Sequence, residues 1–161
     1  GGQAIARYIL DNPELVRTKH VLDFAAGSGI AAIAAARSGA KRVSASDIDE
    51  LADAAINLNA ELNEVDIAVF TENSIGSDEG WDVVLAGDIC YERPLAEDAV
   101  RWLRTLARRG AVVLLGDPGR DYLPLHGLIR CADYEVEVAK PLATQVGRIA
   151  TVWRVESDSN F

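Results

Sequence analysis

The chain has 161 residues, 49% of them hydrophobic and only 6% aromatic, which suits one domain with an aliphatic core and leaves no room for a second module. Its net charge of −9 opposes a phosphate backbone, so nucleic acid is disfavoured as a partner and a basic or neutral substrate fits better. No run is long enough to span a membrane and no signal-peptide pattern opens the chain, so the expected compartment is the cytoplasm.

Gly2 to Asp11 reads as a short amphipathic helix, with Ile5, Tyr8 and Ile9 on one side, ended by Asn12-Pro13. The stretch Val21-Leu22-Asp23-Phe24-Ala25-Ala26-Gly27-Ser28-Gly29-Ile30 then joins a buried strand to a glycine-bearing turn, and Ser28 to Ser38 forms an alanine-rich helix. A turn that binds pyrophosphate keeps negative charge away, whereas Asp23 stands just before this one. Its carboxylate suits a ligand with an ammonium group, such as the amino acid end of S-adenosylmethionine (AdoMet).

Arg42 to Asp49 is a second strand ending in acids. Asp47 has the spacing of a ribose-diol ligand, since two carboxylate oxygens match two hydroxyl donors, and Asp49 is placed to cap the helix Glu50 to Ala60. Asp66 to Phe70 is the third strand, followed by Glu72-Asn73 where a strand end meets an adenine. Trp81 to Ala86 is the fourth strand, Leu95 to Arg109 a helix burying Ala99, Trp102, Leu103 and Leu106, and Ala111 to Leu115 the fifth strand. Tyr122 to Cys131 suggests another helix. Asp133 to Val138 and Arg148 to Val155 alternate polar and apolar residues and read as antiparallel closing strands.

This order predicts an α/β fold, a Rossmann-like, doubly wound and mostly parallel seven-stranded sheet with an antiparallel C-terminal edge. Ligands of such sheets sit beyond the strand carboxyl ends, where Asp23, Gly27, Asp47, Asn73 and Asp88 all fall. The loop Gly87 to Pro94 sets Asp88 and Tyr91 three residues apart beside that mouth, an acid and a ring suited to holding a cation. Gly116-Asp117-Pro118-Gly119-Arg120 follows the fifth strand; it is either a plain tight turn or a substrate rim on which Arg120 meets an acidic patch of a protein partner.

Asp88-Ile89-Cys90-Tyr91 resembles the Asp-x-x-Tyr motif of one group of seven-stranded AdoMet-dependent lysine methyltransferases. Asp47-Ile48-Asp49, the Asn57 to Asn63 segment, the Gly116 to Arg120 segment and Thr151-Val152-Trp153 extend the resemblance over nearly the whole chain. They narrow it to the methyltransferases that modify the β subunit of electron transfer flavoprotein. The resemblance implies AdoMet as cofactor, a cofactor site of Gly2, Asp23, Ala25, Gly27, Gly29, Asp47, Ile48, Asn73 and Asp88, and catalytic and substrate-binding roles for Asp88 and Tyr91, to which the rim reading adds Arg120. It places Gly2 near the methionine end of AdoMet. Ala25 departs from the pattern, standing where relatives often carry Gly, which is tolerable if its φ is negative.

A lysine acceptor must arrive neutral. Neither His20 nor His126 falls in the Asp88 loop, so the expected mechanism has Asp88 orient the ammonium and water take its proton, with no dedicated base. Two other substrates fit the same groups, a small nicotinamide-like amine and a ribosomal protein. A non-catalytic nucleotide-binding module is the alternative of another class. Cys90 and Cys131 lack metal-ligand or disulfide spacing, so no metal is expected. The chain has no Met and begins at Gly1, which points to a single methyltransferase domain over residues 1–161 with an N-terminal part missing. With no apolar stripe evident at heptad spacing, a monomer is expected.

Overall fold

The computed structural model describes residues 1–124, 126–136 and 147–157. Helix α1 (Gly2–Asp11) leads through a 3₁₀ turn (Pro13–Leu15) to β1 (His20–Phe24), α2 (Ile30–Arg37), β2 (Arg42–Ser46), α3 (Glu50–Leu62) and β3 (Ala68–Phe70). Then come β4 (Val83–Gly87), α4 (Arg93–Arg109), β5 (Val112–Asp117), β6 (Leu128–Val136) and β7 (Arg148–Val155). The seven strands form one sheet in the order β3-β2-β1-β4-β5-β7-β6, parallel from β3 to β5 and antiparallel at β7 and β6. This is the expected architecture.

The central strands are buried on both faces because helices cover both. Val21, Val83, Leu85 and Leu114 pack with Ile5 and Ile9 of α1, the alanines of α2 and Ile56 of α3. On the other face Leu22, Val84, Ala86, Val113 and Leu115 pack against Trp102, Leu103 and Leu106 of α4. The alternation of these residues along each strand follows from the two-residue period of a pleated backbone. The parallel register pairs Phe24 with Ser46 and Ala86, Ser46 with Phe70, and Gly87 with Gly116. All five parallel strands therefore end near one level, and the residues at and beyond their ends share one rim.

Several boundaries moved. α4 begins at Arg93 rather than Leu95, since Pro94 sits in the first turn, where its missing N–H costs nothing. The helix expected over Tyr122 to Cys131 is absent. Pro124 and Gly127, at φ +73°, interrupt it, and β6 starts at Leu128, pairing with β7 across a register shift between Arg130 and Ala132. β6 thus begins five residues before the expected Asp133; Val138 lies outside the described residues. β3 keeps only Ala68–Phe70 of its expected span. On α3, Leu51, Leu58 and Leu62 are exposed at spacings of seven and four, so an apolar stripe that the sequence pattern did not make evident does exist. Among the described residues, no helix is long and apolar enough to cross a membrane.

Candidate active site

Asp23 is the fourth residue of β1 and is only 3% exposed, yet it lines the rim cavity. Its Oδ2 accepts the Ala32 N–H of α2 at 2.9 Å. Burial pushes its carboxyl up to about 7, with the charge of Asp47 acting in the same direction and the Ala32 N–H opposing both. A carboxyl poised in this way gains from an incoming cation, which favours the ionised form.

The turn after β1 is tighter than expected. Ala25 has φ +53°, in the left-handed region that alanine disfavours by about 1 to 2 kcal/mol, so the expectation of a negative φ is corrected. The chain must reverse within a few residues to start α2, and the Ala26 N–H is fixed to Ser46 O at 3.1 Å. Gly27 donates its N–H to Asp47 Oδ2 at 2.8 Å, and the Asp49 N–H reaches Asp47 Oδ1 at 3.0 Å. Asp47 is thereby rigidly oriented, and each carboxylate oxygen keeps a further lone pair for a diol. Asp49 caps α3 as expected, accepting the Leu51 N–H at 2.9 Å. Gly29, at φ +76°, heads α2.

Two cavities occupy the rim. One, of about 360 Å³, is lined by Gly2, Asp23, Gly27, Asp88, Arg120 and Arg148 among others. The other, of about 230 Å³, is lined by Asp47, Ile48, Asn73, Asp88, Tyr91 and Leu95 among others. Both walls include Ala25, Gly87 and Asp88, so the cavities meet there. The structure thus gathers every predicted site residue except Gly29, which sets the turn without lining either cavity. Backbone closeness shapes the junction: a Cβ on Gly87 would lie 2.6 Å from the Gly2 nitrogen.

Asp88 itself stands at φ +57°, with its N–H on Gly116 O at 2.7 Å. Its carboxylate is not open. Arg120 Nε donates to Oδ1 at 2.8 Å and Nη2 to Oδ2 at 2.9 Å, a bidentate pair. Arg120 is brought there by buried Asp117, whose Oδ1 accepts the Gly119 and Arg120 N–H groups at 2.7 Å each. The guanidinium therefore turns inward onto Asp88, whereas one of the two sequence expectations, the substrate rim, had it facing a partner's acidic patch. Tyr91 is exposed on the cavity edge. Cys90 is a poor proton acceptor because burial, then the charges of Asp117 and Asp88, push its thiol up to about 12.

Sequence reasoning missed Arg148, Pro118 and Gln3 on the larger cavity and Leu95 on the smaller. Arg148 opens a distant antiparallel strand, and nothing local marks it. Pro118 could have been found, since it lies inside the segment already singled out.

A doubly wound sheet of this order, with acids at the ends of β1, β2 and β4 around a split cavity, defines a Rossmann-like methyltransferase domain. The ribosomal protein L11 methyltransferase (PrmA) family model matches residues 6–115, and the chain belongs to that family. It is 46% identical over 133 residues to the electron transfer flavoprotein beta subunit lysine methyltransferase of Danio rerio, covering 81% of this chain and 52% of that protein. The Homo sapiens protein of the same name is 44% identical over 134 residues, covering 80% and 50%. The chain spans about half the length of these curated relatives. The crystal structure of ribosomal protein L11 methylase from Lactobacillus delbrueckii subsp. bulgaricus is similar at a TM-score of 0.63 and 25% identity, covering 94% of this chain and 77% of that one.

Proposed function

We propose that this domain transfers a methyl group from AdoMet to a protein lysine ε-amine, with the β subunit of electron transfer flavoprotein as substrate. The observation that carries the reading is the meeting of two cavities at Ala25, Gly87 and Asp88. An elongated ligand with an ammonium at one end, a ribose near the other and its reactive centre between them matches that shape. Asp23 faces the first end and Asp47 the second, and the junction lies beside the Asp88 and Tyr91 loop. The relatives named for this activity support the choice of substrate.

AdoMet supplies an electrophilic methyl on a sulfonium. The residues supply position, bringing the amine in line at about 3 to 3.5 Å. The amine lone pair forms the new N–C bond as the C–S pair passes to sulfur, leaving S-adenosylhomocysteine. The ammonium proton leaves to water beforehand. Tyr91 stacks on the lysine methylenes, and the Asp88 side of the pocket orients the nitrogen.

Intact-mass analysis of electron transfer flavoprotein incubated with the domain and AdoMet tests this. Increments of about 14 Da that vanish with Asp88→Ala, in a variant that still binds S-adenosylhomocysteine, support the reading. No increment despite cofactor binding refutes the substrate. Ribosomal protein L11 is the second reading, favoured by the family model over residues 6–115, and the same assay decides it. A thermal shift by S-adenosylhomocysteine and none by NAD would set aside a non-catalytic dinucleotide module.

A further inference from the structure

We propose that Arg120 is a positioning residue that compensates the charge of Asp88, so that the acceptor amine can dock beside this carboxylate and still lose its proton. The inference rests on the lysine reading above. It starts from a conflict within the motif itself. An amine has a reference pKa of about 10.4, and a bare carboxylate in contact with it favours the ammonium, which has no lone pair to attack with. An acid at the reacting end of the pocket thus aids docking and opposes transfer.

The geometry resolves the conflict. Both Asp88 oxygens carry an Arg120 donor, at 2.8 and 2.9 Å, so the incoming nitrogen meets an ion pair of zero net charge. Each oxygen keeps a lone pair, which still accepts one N–H of the amine and fixes its direction. The pairing is built in from behind. Asp117, 1% exposed, holds the Gly119 and Arg120 backbone N–H groups, and the Asp88 N–H is tied to Gly116 O, so both partners stand on the adjacent ends of β4 and β5.

The Gly1 α-amino group lies on the same cavity wall as the pair, and its charge acts on Asp88, Asp117 and Arg120. Asp117 and Asp121 face Arg120 and act on its charge, and Asp23 and Arg148 share the cavity wall. Cys90, buried within the Asp88 loop, is neutral. None of these takes both Asp88 oxygens. Arg120 cannot be the proton acceptor, because a guanidinium keeps its proton at every working pH. Its action is on the protonation of the amine, with the proton still leaving to water before the N–C bond forms and the C–S bond breaks.

The test is the pH profile of kcat, at saturating AdoMet and electron transfer flavoprotein, for the wild type, Arg120→Ala and Arg120→Lys. The expected result is an ascending limb moved up by one pH unit or more in Arg120→Ala, with a tenfold or greater loss near pH 7 that recovers at alkaline pH. Arg120→Lys, which keeps the charge but loses the fork, should fall between. A loss equal at every pH, or an unmoved limb, overturns the role. If Arg120→Ala fails to fold, the comparison of Arg120→Lys with wild type decides by the same limb. A wild-type protein that methylates no lysine at any pH sinks the substrate reading and this role with it. Failure of the Arg120 role alone leaves wild-type turnover intact, so the two failures are distinguishable.

Discussion

Replacing Asp23 by Asn should make the empty domain more stable and a worse cofactor binder at once. The carboxyl stands at about 7 against an ordinary value of 3.8, a rise of about 3 units caused first by burial. A folded-state value raised above the unfolded one means that the group's contribution is fully present below about pH 4 and is lost as pH rises to 7. At about 1.36 kcal/mol per unit, and allowing for the open cavity beside it, ionised Asp23 costs the empty domain on the order of 2 to 4 kcal/mol above neutrality. Asn keeps an acceptor for the Ala32 N–H and removes the charge.

Thermal melts of wild type and Asp23→Asn between pH 4 and 8, with and without S-adenosylhomocysteine, measure both sides. The melting temperatures should coincide near pH 4 and separate in favour of Asn by roughly 5 to 10 °C at pH 8. Ligand affinity of the wild type should rise through pH 7 as the carboxylate forms, while that of the variant stays flat and weaker. Curves that run parallel over the whole range, or a variant that binds as well as wild type at pH 8, would refute the argument from burial.

Asp47→Ala should weaken S-adenosylhomocysteine binding by tenfold or more in a calorimetric titration, because the diol loses its acceptor and the Gly27 and Asp49 N–H groups lose theirs. Wild-type affinity in that variant would remove Asp47 from the ribose site. Gly87→Ala should lower stability by about 1 to 3 kcal/mol in a urea titration, since the new methyl would stand 2.6 Å from the Gly2 nitrogen and 2.9 Å from its Cα. An unchanged midpoint would mean that α1 shifts away without cost.

The alternation of elements, the closing strand Arg148 to Val155 and the acids at the ends of β1, β2 and β4 were all legible in the chain. Each depends on contacts close in sequence: an apolar run long enough for one strand, a carboxylate at its end, glycines in the turn that follows. Asp49 was legible for the same reason, as a cap bonds two residues along. What the chain alone left open depends on partners far away in sequence. Leu128 to Cys131 joined a strand because β7 offered a ladder, which outweighed local helix preference. Ala25 took a left-handed φ because the Ala26 N–H is held by Ser46, across the sheet. The Arg120 fork closed on a carboxylate 32 residues away, since only the neighbouring ends of β4 and β5 bring the two loops together. Local sequence thus set which groups the site contains, and the register of the sheet set which of them touch.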